Sequence, residues 1–202
     1  MVLNRVPSGQ PPATTILVRR ARNGDEDSLA ALVDRFTPLL LVQARYRLGS
    51  GRPHLEPEDI VQEVWVRSLP KLPELRERDG RHTPVFLKFL ATTLLYRVQE
   101  LLRERIRELR EEGSGEGDPL PAETIGVVSR VVRGERQDRV WQLLDTLDPA
   151  ERELLVLRGI EQQDNKVVAE TLGETPNAIS LRYNRLLTRL RRQFTGTILD
   201  EF

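Results

Sequence analysis

Apolar residues recur along most of this chain every three or four positions, and they do not alternate with a period of two over a useful length. The pattern predicts an all-α protein without strands. Proline at first helical positions, acids in first turns and glycine after last turns mark the helix ends. These signals predict helices beginning near Thr14 and spanning Asp25–Phe36, Pro38–Leu48, Pro57–Ser68, Thr83–Glu112, Gln137–Leu147, Asp148–Gly159, Asp164–Leu172 and Thr175–Phe194.

A glycine-rich acidic stretch separates two groups of predicted helices. Residues 113–119 contain three glycines and a proline but no apolar side chain, which is typical of a flexible linker. The first residues are rich in proline, serine and glycine, which is typical of a disordered tail. We therefore predict two small helical domains joined by a flexible acidic linker. The predicted divisions are a tail at 1–13, a helical domain at 14–112, the linker at 113–136, a helix-turn-helix domain at 137–194 and a tail at 195–202.

Composition narrows the range of functions. The chain of 202 residues has no cysteine and two histidines, which excludes disulfides, thiolate zinc sites and cysteine nucleophiles. No apolar run approaches the roughly 18 residues that a membrane span needs, and no signal-peptide core follows Met1. We expect a cytoplasmic protein that does not insert into a membrane and needs no metal or cofactor.

The net charge is zero, with 31 basic and 31 acidic residues, and at first sight this counts against a nucleic-acid partner. The charges are nevertheless segregated along the chain. Residues 111–128 carry acids and no basic residue, whereas residues 174–193 carry five arginines against Glu174 alone. Overall neutrality is therefore compatible with a basic face on one element.

The C-terminal part has the pattern of a helix-turn-helix, with two helices joined by a short turn at Gly173. A buried stripe is predicted on the second helix at Ile179, Tyr183, Leu186, Leu187 and Leu190. The remaining positions form a polar and basic outer face, on which asparagine and arginine suit base edges and the arginine cluster suits phosphates. A helical hairpin with a solvated basic face is the alternative. The candidate DNA-binding residues are Thr175, Asn177, Ser180, Leu181, Arg182, Asn184, Arg185, Arg189, Arg191 and Arg192.

A second candidate surface lies on the predicted helix 57–68. Asp59, Gln62 and Glu63 are three and four residues apart and share one face, which we call the acidic face. A docking surface for a basic partner and an ordinary solvated helix face both fit these residues. A paired-carboxylate enzyme site fits less well, because no histidine or glycine-rich loop accompanies them.

Together these segments resemble a bacterial RNA polymerase sigma factor of the extracytoplasmic-function (ECF) type. The resemblance covers roughly residues 14–194, and two stretches carry it. The first is the run EDIVQEVW at 58–65, similar to the family's core-polymerase-binding segment. The second is 144–190, which includes LLDTLDPAERELLVLR and KVVAETLGETPNAISLRYNRLL and resembles the family's C-terminal helix-turn-helix.

The resemblance implies a division of roles along the chain. Asp59, Gln62, Glu63 and Trp65 would bind core RNA polymerase, and the helix at 176–192 would read the −35 promoter element. The loop at 73–84 and the start of the following helix would engage the unwound −10 element, and the acidic linker would thread into the polymerase. The candidate −10 residues are Arg76, Arg78, Arg81, His82 and Lys88.

The resemblance implies a protein that performs no covalent chemistry and has polymerase and promoter DNA as partners; it leaves open whether an anti-sigma factor is a further partner. This sequence departs from the family at 86–93, at Ser180 and Leu181, and at 161–163, where Glu161-Gln162-Gln163 replaces small residues. The alternative function is a two-domain helix-turn-helix regulator that binds DNA without polymerase. An all-helical adaptor and an enzyme are weaker alternatives.

Overall fold

The fold was analysed in a computed structural model, which describes residues 13–49, 56–111 and 146–193. Over these ranges the chain is helical and contains no strand. The predicted tails, the linker and the predicted helix from Gln137 lie largely or wholly outside the described residues. The elements are α1 (Ala13–Arg22), α2 (Glu26–Leu48), α3 (Pro57–Ser68), a 3-10 segment (Leu69–Glu74), α4 (Thr83–Glu111), α5 (Pro149–Leu154), a π-helical segment (Leu155–Ile160), α6 (Asn165–Leu172) and α7 (Pro176–Gln193).

The N-terminal unit is formed by α1 to α4 around an apolar core. Phe36 of α2 meets Phe86 of α4 edge to face, with ring centroids 5.0 Å apart, and Trp65 of α3 lies 6.2 Å from Phe86. Aromatic pairs favour this edge-on geometry because the positive ring edge meets the negative ring face. The three long helices therefore meet at one aromatic cluster.

The predicted break before Pro38 is wrong, because α2 continues from Glu26 to Leu48 with Pro38 inside it. Proline has no N–H to donate to the carbonyl four residues earlier, so a local rule favours a new helix there. Packing outweighs that lost bond, since every residue from Leu39 to Ala44 is buried. Next to the proline, the indole of Trp65 donates a 2.9 Å hydrogen bond to the Thr37 hydroxyl.

In the described C-terminal unit, the helix predicted to begin at Asp148 starts with a capping box. The Asp148 carboxylate accepts the N–H of Glu151 at 2.8 Å, and the Glu151 side chain accepts the N–H of Asp148. Asp164 lies at the start of α6 as predicted, but its side chain makes no capping bond. Gly173 ends α6 in the left-handed conformation, at φ 68°, which glycine adopts readily because it has no Cβ.

The helix predicted to end near Gly159 ends at Ile160, and its last residues, Leu155–Ile160, form a π-helical segment. Its wider winding is closed by a hydrogen bond from the N–H of Glu161 to the Val156 carbonyl at 2.8 Å. The segment is almost completely buried and packs against α2 and α4. The two units therefore share one apolar cluster in this structure.

Candidate polymerase-binding and DNA-binding surfaces

The acidic face lies on the solvent side of α3, because Ile60, Val61 and Val64 are buried on the opposite side. Asp59 and Gln62 are exposed, whereas Glu63 is half-buried and paired with Arg97 of α4. Of the three predicted side chains, Asp59 and Gln62 are thus fully presented to a partner.

Glu63 belongs to a chain of ion pairs between α3 and α4. Arg97 contacts both Glu63 and Glu100, and Arg67 donates to Glu100 at 2.9 Å. The hydrogen bond with Glu63 raises the pKa of Arg97, and the bond from Arg67 lowers the pKa of Glu100. These charges hold α3 against α4 and partly neutralise the acidic face.

The interpretation of Trp65 as a surface contact is corrected by its burial. Its side chain is only 6% exposed and packs in the aromatic cluster. It supports α3 from below and cannot present a surface to a partner. Val66, not singled out from the sequence, is instead 67% exposed beside Gln62. Its position, seven residues after Asp59 and four after Gln62, is the signal that could have identified it.

Residues 75–82 form a compact turn that we call the hairpin loop. Arg78 and Arg81 exchange two backbone hydrogen bonds of 3.0 Å, and Asp79 and Gly80 between them have φ values of 54° and 73°. Positive φ at both central residues is the geometry of a tight hairpin turn, for which Asp-Gly is a favoured pair. The Asp79-Gly80 pair is therefore the local sequence feature that fixes this turn.

The candidate −10 residues, which lie in or just after the hairpin loop, differ in their exposure to solvent. Arg76, Arg78 and Lys88 are exposed and Arg81 is half-buried. His82 is only 2% exposed, so the interpretation of this residue as a direct DNA contact is corrected. The last residue of the hairpin loop, His82, is held inside the domain, because its backbone N–H donates to the buried Thr15 hydroxyl at 3.1 Å.

Helix α1 anchors the hairpin loop through residues that the sequence did not indicate. Arg22 donates to the Pro73 carbonyl at 2.8 Å and lies 3.4 Å from Nε2 of His82. Arg19 donates to Glu77 at 2.7 Å, and Glu77 lies 3.6 Å from Nδ1 of His82. Burial lowers the pKa of His82 despite the nearby carboxylate. The spacing of Arg19 and Arg22 on α1 does not indicate their partners, because these lie more than 50 residues later in the chain.

The polar and basic outer face is on α7, where the predicted stripe of Ile179, Leu186, Leu187 and Leu190 is buried and Tyr183 is half-buried. Burial raises the pKa of Tyr183 to about 12. The Thr175 hydroxyl is occupied as a helix cap, since it accepts the N–H of Ala178 at 3.3 Å. Exposed on the outer face are Asn177, Leu181 (58% exposed), Asn184, Arg185, Arg189 and Arg192.

Two of the predicted arginines are held within the unit. Arg182 is half-buried in an ion pair with Glu174, and Arg189 donates to Glu151 at 2.6 Å. The bond with Glu151 raises the pKa of Arg189. Ser180 and Arg191 are half-buried. Within the described part of α7, Arg185 and Arg192 are thus the exposed arginines that form no ion pair with an acid of the unit.

The chain is similar to known proteins both in its full sequence and in its fold. The chain is 32% identical to the ECF RNA polymerase sigma factor ShbA of Streptomyces griseus over 183 residues, which cover 87% of this chain and 92% of ShbA. The chain belongs to the ECF family of RNA polymerase sigma factors. The sigma factor is also 27% identical to the ECF sigma factor SigD of Mycobacterium tuberculosis over 189 residues, 89% of this chain and 83% of SigD.

No protein-family model matches the sigma factor. Among solved structures it is similar to CnrH, in the structure of CnrH in complex with the cytosolic domain of CnrY. The identity is 25%, the match covers 90% of this chain and 96% of that chain, and the TM-score is 0.41.

Membership of the family gives the function at a coarse level. The sigma factor binds core RNA polymerase and directs promoter-specific initiation of transcription. A DNA-binding regulator that acts without polymerase is therefore not favoured. Within the described ranges, no helix is long and apolar enough to cross a bilayer, and no cluster of side chains is suited to a metal ion.

Proposed function

We propose that the N-terminal unit binds core polymerase and the −10 element, and that the C-terminal unit reads the −35 element. The unit boundaries are 14–112 and 137–194, with the acidic stretch 113–136 as the connection through the polymerase. The chain acts by binding alone, in the cytoplasm, without catalytic residues. The observation that carries this proposal is the presence of two exposed surfaces of different chemistry, one on α3 and one on α7.

Core polymerase docks on Asp59 and Gln62, with Val66 beside them as an apolar contact. These side chains are uncovered, and a carboxylate flanked by an amide and an aliphatic group suits a basic helical partner. Glu63 contributes less charge, because Arg97 shares it. Trp65 and the apolar residues of α3 keep this face rigid.

The −10 element meets the hairpin loop and the first turns of α4. Arg76, Arg78 and Lys88 are exposed there and supply the positive charge that a single strand requires. His82, Arg19 and Arg22 act from beneath, by holding the loop. Recognition of an extruded base requires a loop of fixed geometry, because contacts with the protein have to offset the free energy of unstacking that base.

The −35 element meets α7. Asn177, Asn184 and Arg185 face the major groove and make hydrogen bonds to base edges, and Arg192 contacts phosphate. Leu181 is exposed between them and suits a thymine methyl group. Arg182 and Arg189 reach DNA only by exchanging their internal carboxylate partners, so their contribution is smaller.

Transcription in vitro with purified core polymerase tests this division. Asp59→Lys is expected to abolish core binding in a pull-down and transcription from every promoter. The matched charge reversal Asp34→Lys, on exposed α2 surface, leaves both unchanged. Arg185→Ala is expected to retain core binding while changing the preferred −35 sequence in a promoter library. Normal core binding by the Asp59 variant would refute the docking face, and an unchanged library preference would refute the groove-reading helix.

A further inference from the structure

Gly159, in the π-helical segment, is a glycine that its own backbone does not require. Its φ lies outside the left-handed region that favours glycine, in contrast to the φ of 68° at Gly173. A glycine inside a helical segment is less stable than an alanine there, because it loses more conformational freedom on folding. The reason for a glycine at this position therefore has to lie in the space around it.

The space beside Gly159 is filled by a side chain of α7. A Cβ added to Gly159 would lie 3.1 Å from the hydroxyl oxygen of Tyr183 and 3.1 Å from Cδ1 of Leu155, whereas ordinary contacts of a Cβ are 3.4–4 Å long. The ring carbon Cε2 of Tyr183 would be at an ordinary 3.6 Å. We call the space into which the Tyr183 hydroxyl projects the notch. Glycine at position 159 keeps the notch open for this tyrosine.

The Tyr183 ring is also held from a second direction. The guanidinium carbon of Arg158 lies 5.5 Å from the centre of the ring, within the range of a cation–π contact. Nε of Arg158 in turn donates to the side-chain oxygen of Asn165, the first residue of α6, at 2.7 Å. The π-helical segment, α6 and α7 are thus linked at this ring. Because the ring is held on both sides, a change in the notch is passed on to α7.

The position of Tyr183 along α7 amplifies such a change toward the base-reading end of the helix. The far end is anchored, because Leu190 is fully buried and Arg189 is bonded to Glu151 at 2.6 Å. At 1.5 Å per residue, Tyr183 is about 10 Å and Asn177 about 20 Å from Leu190, so a displacement of about 0.3 Å becomes about 0.6 Å. Specific contacts need side chains placed within about 0.5 Å, so this tilt is large enough to change which bases are preferred.

We propose that Gly159 and Tyr183 are positioning residues that set the tilt of α7 and thereby the −35 sequence that the sigma factor prefers. The proposal rests on the proposed function, since the tilt affects promoter choice only if α7 reads the −35 element. Neither residue belongs to the outer face of α7, because Tyr183 is half-buried on the side of the buried stripe. A determinant of sequence preference therefore lies on the side of the helix that faces away from DNA.

Gly159→Ala tests the notch in the full chain, bound to core polymerase, on a library of −35 variants. The added methyl group is expected to lower the preference for the best −35 sequence of the unchanged protein about tenfold, while core binding is retained. Ala150→Ser, which adds one heavy atom at an exposed position of α5, is the matched control and should change neither quantity. An unchanged −35 preference in Gly159→Ala would overturn the proposal.

Tyr183→Phe provides the rescue, because it removes the hydroxyl that crowds the notch and keeps the ring. The double variant Gly159→Ala, Tyr183→Phe should have the same −35 preference as Tyr183→Phe alone, since the nearest ring atom is then at 3.6 Å. A purely structural role of Gly159 predicts instead that Gly159→Ala weakens transcription equally from every −35 variant. That result, or a double variant without rescue, would refute the positioning role.

Two further variants complete the test. Should Gly159→Ala fail to fold, Tyr183→Leu takes the ring out of the notch and is expected to change the −35 preference to a similar extent; no change there would equally refute the positioning role. Arg185→Ala separates this proposal from the proposed function. If Arg185→Ala changes the preference and Gly159→Ala does not, only the role of the notch is refuted, whereas no change in either variant refutes groove reading by α7 as well.

Discussion

Glu63 of α3 and Arg97 of α4 form a two-point ion pair, with Nη2 of Arg97 3.3 Å from Oε1 of Glu63 and Nε in contact with Oε2. A carboxylate paired in this way offers less net charge to a partner than the exposed carboxylate of Asp59 one turn earlier. The two acids of the acidic face are therefore unequal, although the sequence gives them the same spacing.

The first prediction compares these two acids. Asp59→Asn is expected to weaken core polymerase binding about tenfold, and Glu63→Gln only about twofold, because Arg97 already neutralises Glu63. Binding is measured by titration of labelled sigma factor with core enzyme, with Asp34→Asn as the control. Glu63→Gln should instead lower the stability of the fold slightly, by up to about 1 kcal/mol. A larger binding loss for Glu63→Gln would contradict this ranking.

The second prediction concerns the anchoring of the hairpin loop. Arg22→Ala removes the contacts to Pro73 and His82 and is expected to reduce promoter opening about tenfold while core binding is retained. Opening is measured by permanganate reactivity of unpaired thymines in the −10 element. Arg20→Ala, at an exposed position of the same helix, is the control. Equal losses of opening and core binding would indicate a general folding role for Arg22.

The third prediction separates base reading from phosphate contact on α7. Arg185→Ala should cost roughly 1–3 kcal/mol of discrimination at one or two base pairs of the −35 element. Arg192→Ala should weaken all duplexes alike and reduce the salt dependence by about one phosphate contact. Both are measured with holoenzyme on −35 variants at several salt concentrations. Equal effects of the two substitutions on every duplex would argue against groove reading by Arg185.

The fourth prediction uses the two helix starts of the C-terminal unit as a matched pair. Asp148→Ala should lower the free energy of unfolding by about 1 kcal/mol, because the capping box loses its acceptor. Asp164→Ala should have an effect of no more than about 0.5 kcal/mol, since its side chain makes no capping bond. Urea denaturation followed by circular dichroism measures both. A reversed order would mean that the capping geometry at Asp148 does not persist in solution.

The fifth prediction is a pH dependence from His82. Its pKa is lowered in the folded protein, so between that value and about 6.5 the unfolded chain binds more protons. The free energy of unfolding is therefore unaffected by His82 above about pH 6.5. It falls as the pH drops below that value, because protonation of His82 favours the unfolded chain. His82→Gln should flatten this fall, because the backbone bond to Thr15 is retained. Melting temperatures between pH 7.5 and 5.5 measure the effect, and an unchanged slope in His82→Gln would exclude this origin.

The features that could be predicted from the sequence are those with local causes. The helix start at Asp148 and the turn at Gly173 depend on neighbouring residues, and the structure confirms both. The Asp79-Gly80 turn has an equally local cause. The acidic face and the outer face of α7 followed from helical spacing. Their roles as binding sites stay predictions.

The features that could not be predicted depend on distant partners. Pro38 breaks helices by local rules, yet buried leucines around it keep α2 continuous. His82 lies in a charged loop, yet it is buried against α1. Its partner there, Thr15, is more than 60 residues earlier in the chain. Arg47 and Glu161 are 114 residues apart, and no spacing pattern connects them.

The winding of the π-helical segment sets the direction in which Glu161 faces. In a helix each residue turns the chain by about 100°, so deleting one residue within Leu155–Ile160 would rotate Glu161 away from α2 by about that angle. Such a deletion would leave every side chain of α3 and α7 unchanged. The deletion of one residue in this segment would therefore break the contacts of Glu161 with Arg47 and Gln43 without altering any residue of the candidate binding surfaces.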